Sequence, residues 1–244
     1  PPRADRRGFS VRSGRSAFTA SKRATLPLVM TRRQQLTMLY GAFAVFWLLL
    51  AISPLDRPTW LLENTLVFAG IGVLYSLRRH VPFTMASHTL VVFFLGLHAI
   101  GAHYTYSLVP YDAAFQSLTG DSLNGVLGLS RNHYDRLVHF GYGFLLALPM
   151  RELLMRLAGV RGFWSYFLPL DLVMSSSLFY ELLEWAAAVV FGGGLGAAFL
   201  GTQGDEWDAH RDMALAGIGG LIAILLVYAR NRSTRDRSGD RELP

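Results

Sequence analysis

Residues 212–230 read DMALAGIGGLIAILLVYAR: an aspartate and an arginine bracket seventeen uncharged, mostly apolar positions. At a rise of about 1.5 Å per residue this run makes a helix of roughly 28 Å, close to the hydrocarbon thickness of a bilayer at about 30 Å. Its unbroken apolarity separates it from porin strands, which alternate polar and apolar positions over about ten residues. A spanning helix is therefore predicted, since inside the bilayer every backbone N–H and C=O has to be bonded within the segment. Toward the amino terminus, five more such runs lie near 34–53, 59–77, 85–106, 136–157 and 163–191. The expected fold class is all-α, a polytopic membrane protein with a six-transmembrane-helix bundle over 34–230.

The breaks between runs carry their own signals. Pro110 is expected to end the third helix, and the half-apolar stretch 113–129 to form a surface or re-entrant helix. Pro149 and Pro169 fall inside the fourth and fifth helices and would kink them unless neighbours satisfy the freed carbonyls. FGGGLG at 191–196 closes the fifth helix. Gly217, Gly219 and Gly220 in the last run suit close helix packing better than a phosphate loop.

Composition agrees with a membrane chain: 52% of residues are hydrophobic and 16% charged. Cysteine is absent, which excludes disulfides, thiolate catalysis and cysteine-ligated metals. The net charge of +6 is no nucleic-acid signal, because 14 of the 23 Lys and Arg lie in residues 1–33 and from Arg230 onward. With the amino terminus cytoplasmic, nineteen basic residues fall on the inner side and only Arg57, Arg131, Arg136 and Arg211 on the outer. This asymmetry predicts an N-in/C-in topology. Residues 1–33 form an expected basic, disordered tail, with MTRRQQL from Met30 a plausible natural start, and 231–244 an expected cytoplasmic tail.

On this map the ionisable residues of the apolar body gather at one depth. The outer half of helix three carries His98 and His103, helix four opens with Asp135 and His139, helix five ends with Glu181 and Glu184, and Asp205, Asp208 and Asp212 lead into helix six. Intramembrane charges cost roughly 2.5–3.5 kcal/mol each and so face partners or a water-filled cavity. The pairs 135/139, 181/184 and 208/212 each share a helix face. Imidazole with carboxylate suits zinc, manganese or iron, so one divalent cation is the expected cofactor, with His103, Asp135, His139, Glu184, Asp205 and Asp208 as candidate ligands. His139, Glu181, Glu184 and Asp212 are the candidate catalytic groups, and Arg136, Arg211 and Tyr104 the candidate substrate contacts. Two other readings stand beside this one. Arg136 and Arg211 pair with Glu181, Glu184 or Asp212 in a purely structural network, or the carboxyls act as metal-free acid and base. His98 suits helix packing. The serines at 175–177 lack a Gly-x-Ser-x-Gly elbow.

HAIGAHYTYSLVPYD (98–112), RNHYDRLVHFGYGF (131–144), YELLEW (180–185) and FLGTQGDEWDAHRDM (199–213) together resemble the YjdF-like family of bacterial inner-membrane proteins, over essentially residues 34–230. More distantly, Asp-x-x-x-His-Phe, Tyr-Glu-x-x-Glu and a final Asp before a Gly-rich span are similar to the VanZ-like group, which is associated with glycopeptide resistance and the cell envelope. There Glu184 departs from the pattern, standing where Gln is common. The resemblance implies an inner-membrane location and a shared polar core of Asp135, His139, Glu181, Glu184 and Asp212, and it brings no reaction with it. The expected function is an outward-facing site that binds or acts on a lipid-linked or anionic envelope component, with membrane lipid as partner. The rivals are a small proton-coupled transporter and a non-catalytic scaffold.

Overall fold

The computed structural model describes residues 30–77 and 79–239, with side chains throughout except at Leu66 and from 234 onward. Most of the expected amino-terminal tail, Arg78 and the last five residues lie outside this range. Among the described residues there are nine helices and no strand: α1 (Arg32–Ala51), α2 (Arg57–Leu77), α3 (Met85–His103), α4 (Tyr111–Thr119), α5 (Leu123–Leu127), α6 (Tyr134–Leu157), α7 (Trp164–Phe191), α8 (Gly193–Leu200) and α9 (Asp208–Gly239). Five of them, α1, α2, α3, α7 and the 208–233 part of α9, are long and apolar enough to cross a membrane. α1 buries no residue, and α7 exposes Phe179, Leu182, Trp185, Val189 and Val190. In water such a surface would be an aggregation liability; against lipid tails it costs nothing.

The run expected as the fourth span forms a helix, α6, which is not among those five. Its 24 residues include Asp135, Arg136, Arg151, Glu152 and Arg156. These are tolerated because α6 is the hub of the bundle, packed on α3, α7 and α9. It runs antiparallel along the length of α3. Near one end the Tyr134 hydroxyl donates to the Leu97 carbonyl at 2.9 Å; near the other, the Thr84 hydroxyl and N–H donate to Glu152 at 2.6 and 2.8 Å.

α6 and α9 meet backbone to backbone. A Cβ at Gly143 would collide with the Ala216 carbonyl and stand 2.7 Å from the Gly220 nitrogen, and one at Gly219 would collide with the Phe140 carbonyl. The glycines of the last run thus serve close packing, as expected. Ala147, Val173, Ala216, Ala223 and Ile224 form the core beneath this crossing. Pro149 and Pro169 are buried within continuous helices.

Two boundaries differ from expectation. α3 ends at His103 rather than near 106, because Thr105 and Tyr106 turn with φ of 54° each and the Tyr106 ring folds back over Gly101. A Cβ there would lie 2.6 Å from that ring, so the turn requires glycine at 101. Pro110 accordingly precedes α4 rather than ending α3. At the carboxyl end, residues 231–239, the first part of the expected tail, continue α9 as helix. The stretch 113–129 forms α4 and α5, tied together where Asp112 accepts from the Ser122 hydroxyl at 2.9 Å and the Asn124 N–H at 2.8 Å. After α7, Gly192 turns the chain at φ 60° into α8, which packs on α7 and α2.

Candidate functional site

The site is assembled at the end of the bundle where α6 and α9 begin and α7 approaches its end. Asp135 lies in the first turn of α6 with His139 one turn on, so the two share a face at spacing four. The His139 Nε2 is 3.5 Å from Asp135 Oδ1 and 3.7 Å from Glu181 Oε1 on α7. From α9, Asp212 completes a group in which one ligand atom each from Asp135, His139 and Asp212 lie within 4.8 Å of one another. Asp212 is 1% exposed, and His139, Glu181 and Glu184 are also buried. Asp212 Oδ1 and Glu181 Oε1 have no hydrogen-bond partner among the described residues. A buried carboxylate oxygen left without a donor is costly, so this arrangement calls for a proton or a cation.

The arginines that might have neutralised these groups are committed elsewhere. Arg131, just before α6, pairs with Asp208 and donates to the Thr202 carbonyl, and Arg136 pairs with Asp205. Second contacts of 3.9 Å (Arg131 to Asp205) and 3.6 Å (Arg136 to Asp208) close the square. Arg211, about half exposed, also reaches Asp205. Gln203 and Asn132 reinforce the joint, the Gln203 amide donating to the Asn132 carbonyl at 3.0 Å. Burial works to raise the Asp205 carboxyl, but the Trp207 N–H and the Arg136 and Arg211 guanidiniums prevail and hold it below its ordinary value. Burial and the nearby Arg136 and Arg131 lower the His133 imidazole.

Of the expected residues, Asp135, His139, Glu181 and Asp212 come together, with Glu184 buried one turn beyond Glu181. Asp205 and Asp208 stand outside this group, with Asp205 Oδ2 and Asp208 Oδ1 paired with guanidiniums. His103 is not part of the Asp135, His139 and Asp212 group: its Nδ1 lies 2.7 Å from the Leu50 carbonyl, and its own carbonyl accepts from the Leu55 N–H at 2.9 Å, so it joins α3 to the end of α1. Tyr104 stacks edge-on to His103 at 4.5 Å and packs against the Tyr106, Val109, Tyr134 and Val138 cluster. The expected pairing of Arg136 and Arg211 with Glu181, Glu184 or Asp212 gives way to their shared partner Asp205. His98 accepts its expected packing role against the Tyr106 hydroxyl.

Sequence reasoning passed over Glu63. It is 3% exposed on α2, and the Tyr180 hydroxyl, next to Glu181 in the chain, lies 3.4 Å from its Oε2. The available signal was the Glu63-Asn64 pair inside an apolar run. The Asn64 side chain accepts from the Trp47 indole N–H at 2.8 Å and donates to the Trp60 carbonyl at 2.7 Å, whereas Glu63 extends the acidic cluster to a further helix.

Residues 35–233 match the family described as "Predicted membrane protein (DUF2238)". The chain belongs to this family. Among its relatives is the inner membrane protein YjdF of Escherichia coli (strain K12), 39% identical over 177 residues, which cover 72% of this chain and 80% of the relative. No solved structure matches the chain. Membership of this family, with five apolar helices, makes the chain a multi-pass integral protein of the inner membrane. The family resemblance carried by the four motifs thus holds, and all four lie within the matched residues.

Proposed function

We propose that this chain crosses the inner membrane six times with both termini cytoplasmic, and that Asp135, His139 and Asp212, with Glu181 beside them, hold one divalent cation at the outer end of the bundle. The sixth crossing is supported by the antiparallel run of α6 along α3: a helix tied to both ends of a spanning neighbour spans with it. The orientation is supported by the excess of basic residues on the inner side.

The observation that carries the metal site is the pair of unpartnered carboxylate oxygens, on Asp212 and Glu181, facing a single imidazole while the nearby arginines are paired with Asp205 and Asp208. One nitrogen and several carboxylate oxygens suit zinc, manganese or iron. A cation there supplies Lewis-acid polarisation of a phosphoryl or carbonyl oxygen. Glu184, or Glu181 if it is left uncoordinated, serves as the general base. Arg211, half exposed and sharing one carboxylate with Arg136, is the group available to an anionic substrate. The substrate class is a lipid-linked or phosphate-bearing envelope component, since the site lies at the membrane's outer rim.

Elemental analysis of the full chain, purified in detergent and dialysed, tests this. About one divalent ion per chain is expected, lost in His139→Ala and Asp212→Asn. No stoichiometric metal in the wild-type protein, or metal unchanged in both variants, overturns it. A second reading, proton-coupled transport, is favoured by the Glu63–Tyr180 contact that carries the carboxyl cluster across to α2. Proton flux into liposomes that persists without metal and is lost in Glu63→Gln would establish that reading in place of the first.

A further inference from the structure

At the other end of α6, a cavity of about 930 Å³ opens between the end of α6, the start of α7 and the later turns of α9. Arg151 lies sixteen residues beyond Asp135, so the two sites are roughly 24 Å apart along the helix axis. Two guanidiniums line the cavity, Arg151 and Arg161, and among the described residues neither forms an ion pair with a carboxylate. Arg151 is held in place: its Nη2 donates to the Ser165 hydroxyl at 3.3 Å, and its guanidinium lies 4.7 Å above the Tyr166 ring. Its Nε is buried without a partner. Asn231 steadies Tyr166 by donating to its hydroxyl at 3.0 Å. Arg161 reaches the Met155 and Val160 carbonyls at 3.3 and 3.2 Å, so its charge is uncompensated among the described residues. The remaining wall is apolar, with Phe163, Ile224 and Leu225, and Phe163 and Leu225 are more than half exposed toward the lipid-facing surface.

We propose that this cavity binds an anionic phospholipid, its phosphate between Arg151 and Arg161 and its acyl chains along Phe163 and Leu225. Charge complementarity selects the headgroup, because a basic pocket between spanning helices at the membrane surface attracts anionic lipid phosphates. The apolar wall selects a lipid over a free phosphate ester. Tyr166 under Arg151 preorganises the guanidinium for a phosphate oxygen. This goes beyond the proposed metal site and does not depend on it: metal content and lipid binding are read separately.

The test is native mass spectrometry of the full chain incubated with phosphatidylglycerol or with phosphatidylethanolamine of the same acyl chains. The wild-type protein is expected to retain phosphatidylglycerol preferentially. Arg151→Gln and Arg161→Gln are each expected to lower that preference about fivefold. Leu225→Trp, which fills the apolar wall, is expected to reduce retention of both lipids, separating the cavity from lipid held loosely on the outer belt. Arg161 is exposed, so its variant carries the test even if Arg151→Gln fails to fold. Equal retention of the two lipids by the wild-type protein, or an unchanged preference in the arginine variants, overturns the proposal. So does displacement of phosphatidylglycerol by an equal concentration of glycerol phosphate, which would identify a free phosphate ester as the ligand.

Discussion

The two ends of α6 are electrostatic opposites. At its start, Asp135 meets Glu181 and Asp212 with one imidazole among them; at its end, Arg151 and Arg161 line one cavity with no carboxylate among its described lining residues. The Arg131, Arg136, Asp205 and Asp208 square beside the first site shows that this chain can neutralise a buried charge with its own residues. A buried ion pair holds together because each member offsets the other's desolvation, and removing one leaves the penalty of the other intact. Where no such partner stands among the described residues, the charge is offset by a proton or by an ion from outside. The contrast therefore separates a structural electrostatic joint from two candidate binding sites on one helix.

The largest effect is expected where α6 and α9 touch, since that contact holds both ends in register. Gly143→Val would drive a side chain into the Ala216 carbonyl, and a loss of about 3 kcal/mol or more, read as failure to recover monodisperse folded protein, should abolish metal and lipid binding together. Retention of either one by a well-folded variant would show that the two ends do not depend on this contact. Next comes the structural square. Arg131→Gln leaves Asp208 only its 3.6 Å contact with Arg136 and should cost up to about 3 kcal/mol in thermal unfolding, with metal content per folded chain unchanged. Metal lost in step with that variant would mean that the square and the carboxyl cluster form one site.

A smaller effect marks the acidic end itself. Divalent metal at about a hundred times its dissociation constant should stabilise the wild-type protein by about 2.7 kcal/mol, seen as a raised melting temperature. Asp212→Asn should erase that shift while leaving the chelator-treated protein at least as stable as wild type, because a buried carboxyl without a cation has been removed. If the chelated variant is much weaker than wild type, Asp212 is a structural partner instead. The smallest effect belongs to Asp205. Its carboxyl is depressed in the folded protein, so its contribution is present above the unfolded value near pH 4 and is lost as pH falls through the lower folded value. A shallow loss of stability below about pH 4 that flattens in Asp205→Asn is expected, measured by thermal unfolding across that range.

Much of the site was legible because spacing on a helix survives into the structure. Asp135 with His139, and Glu181 with Glu184, share faces whatever the helices pack against; His139, Glu181 and Glu184 are buried and Asp135 is partly buried beside them. The ligand set was less legible. Asp205 and His103 are chemically suitable, yet packing set them outside the Asp135, His139 and Asp212 group, Asp205 against guanidiniums and His103 at the joint with α1. Arg131 and Glu63 were missed in their roles for the same reason, since neither lies at helical spacing from its partners.

What the sequence by itself determined is the membrane-embedded helical class and the depth at which charges collect. Both follow from the one-dimensional chemistry of the chain: apolar run length set against bilayer thickness, and the small number of charges inside those runs. Only the tertiary structure decided which charge meets which. α6 could carry five charged residues because it is enclosed by α3, α7 and α9, and its glycines allowed α9 to bring Asp212 beside His139. Ion pairing acts over a few ångströms between residues distant in the chain, so it depends on the contacts that packing creates.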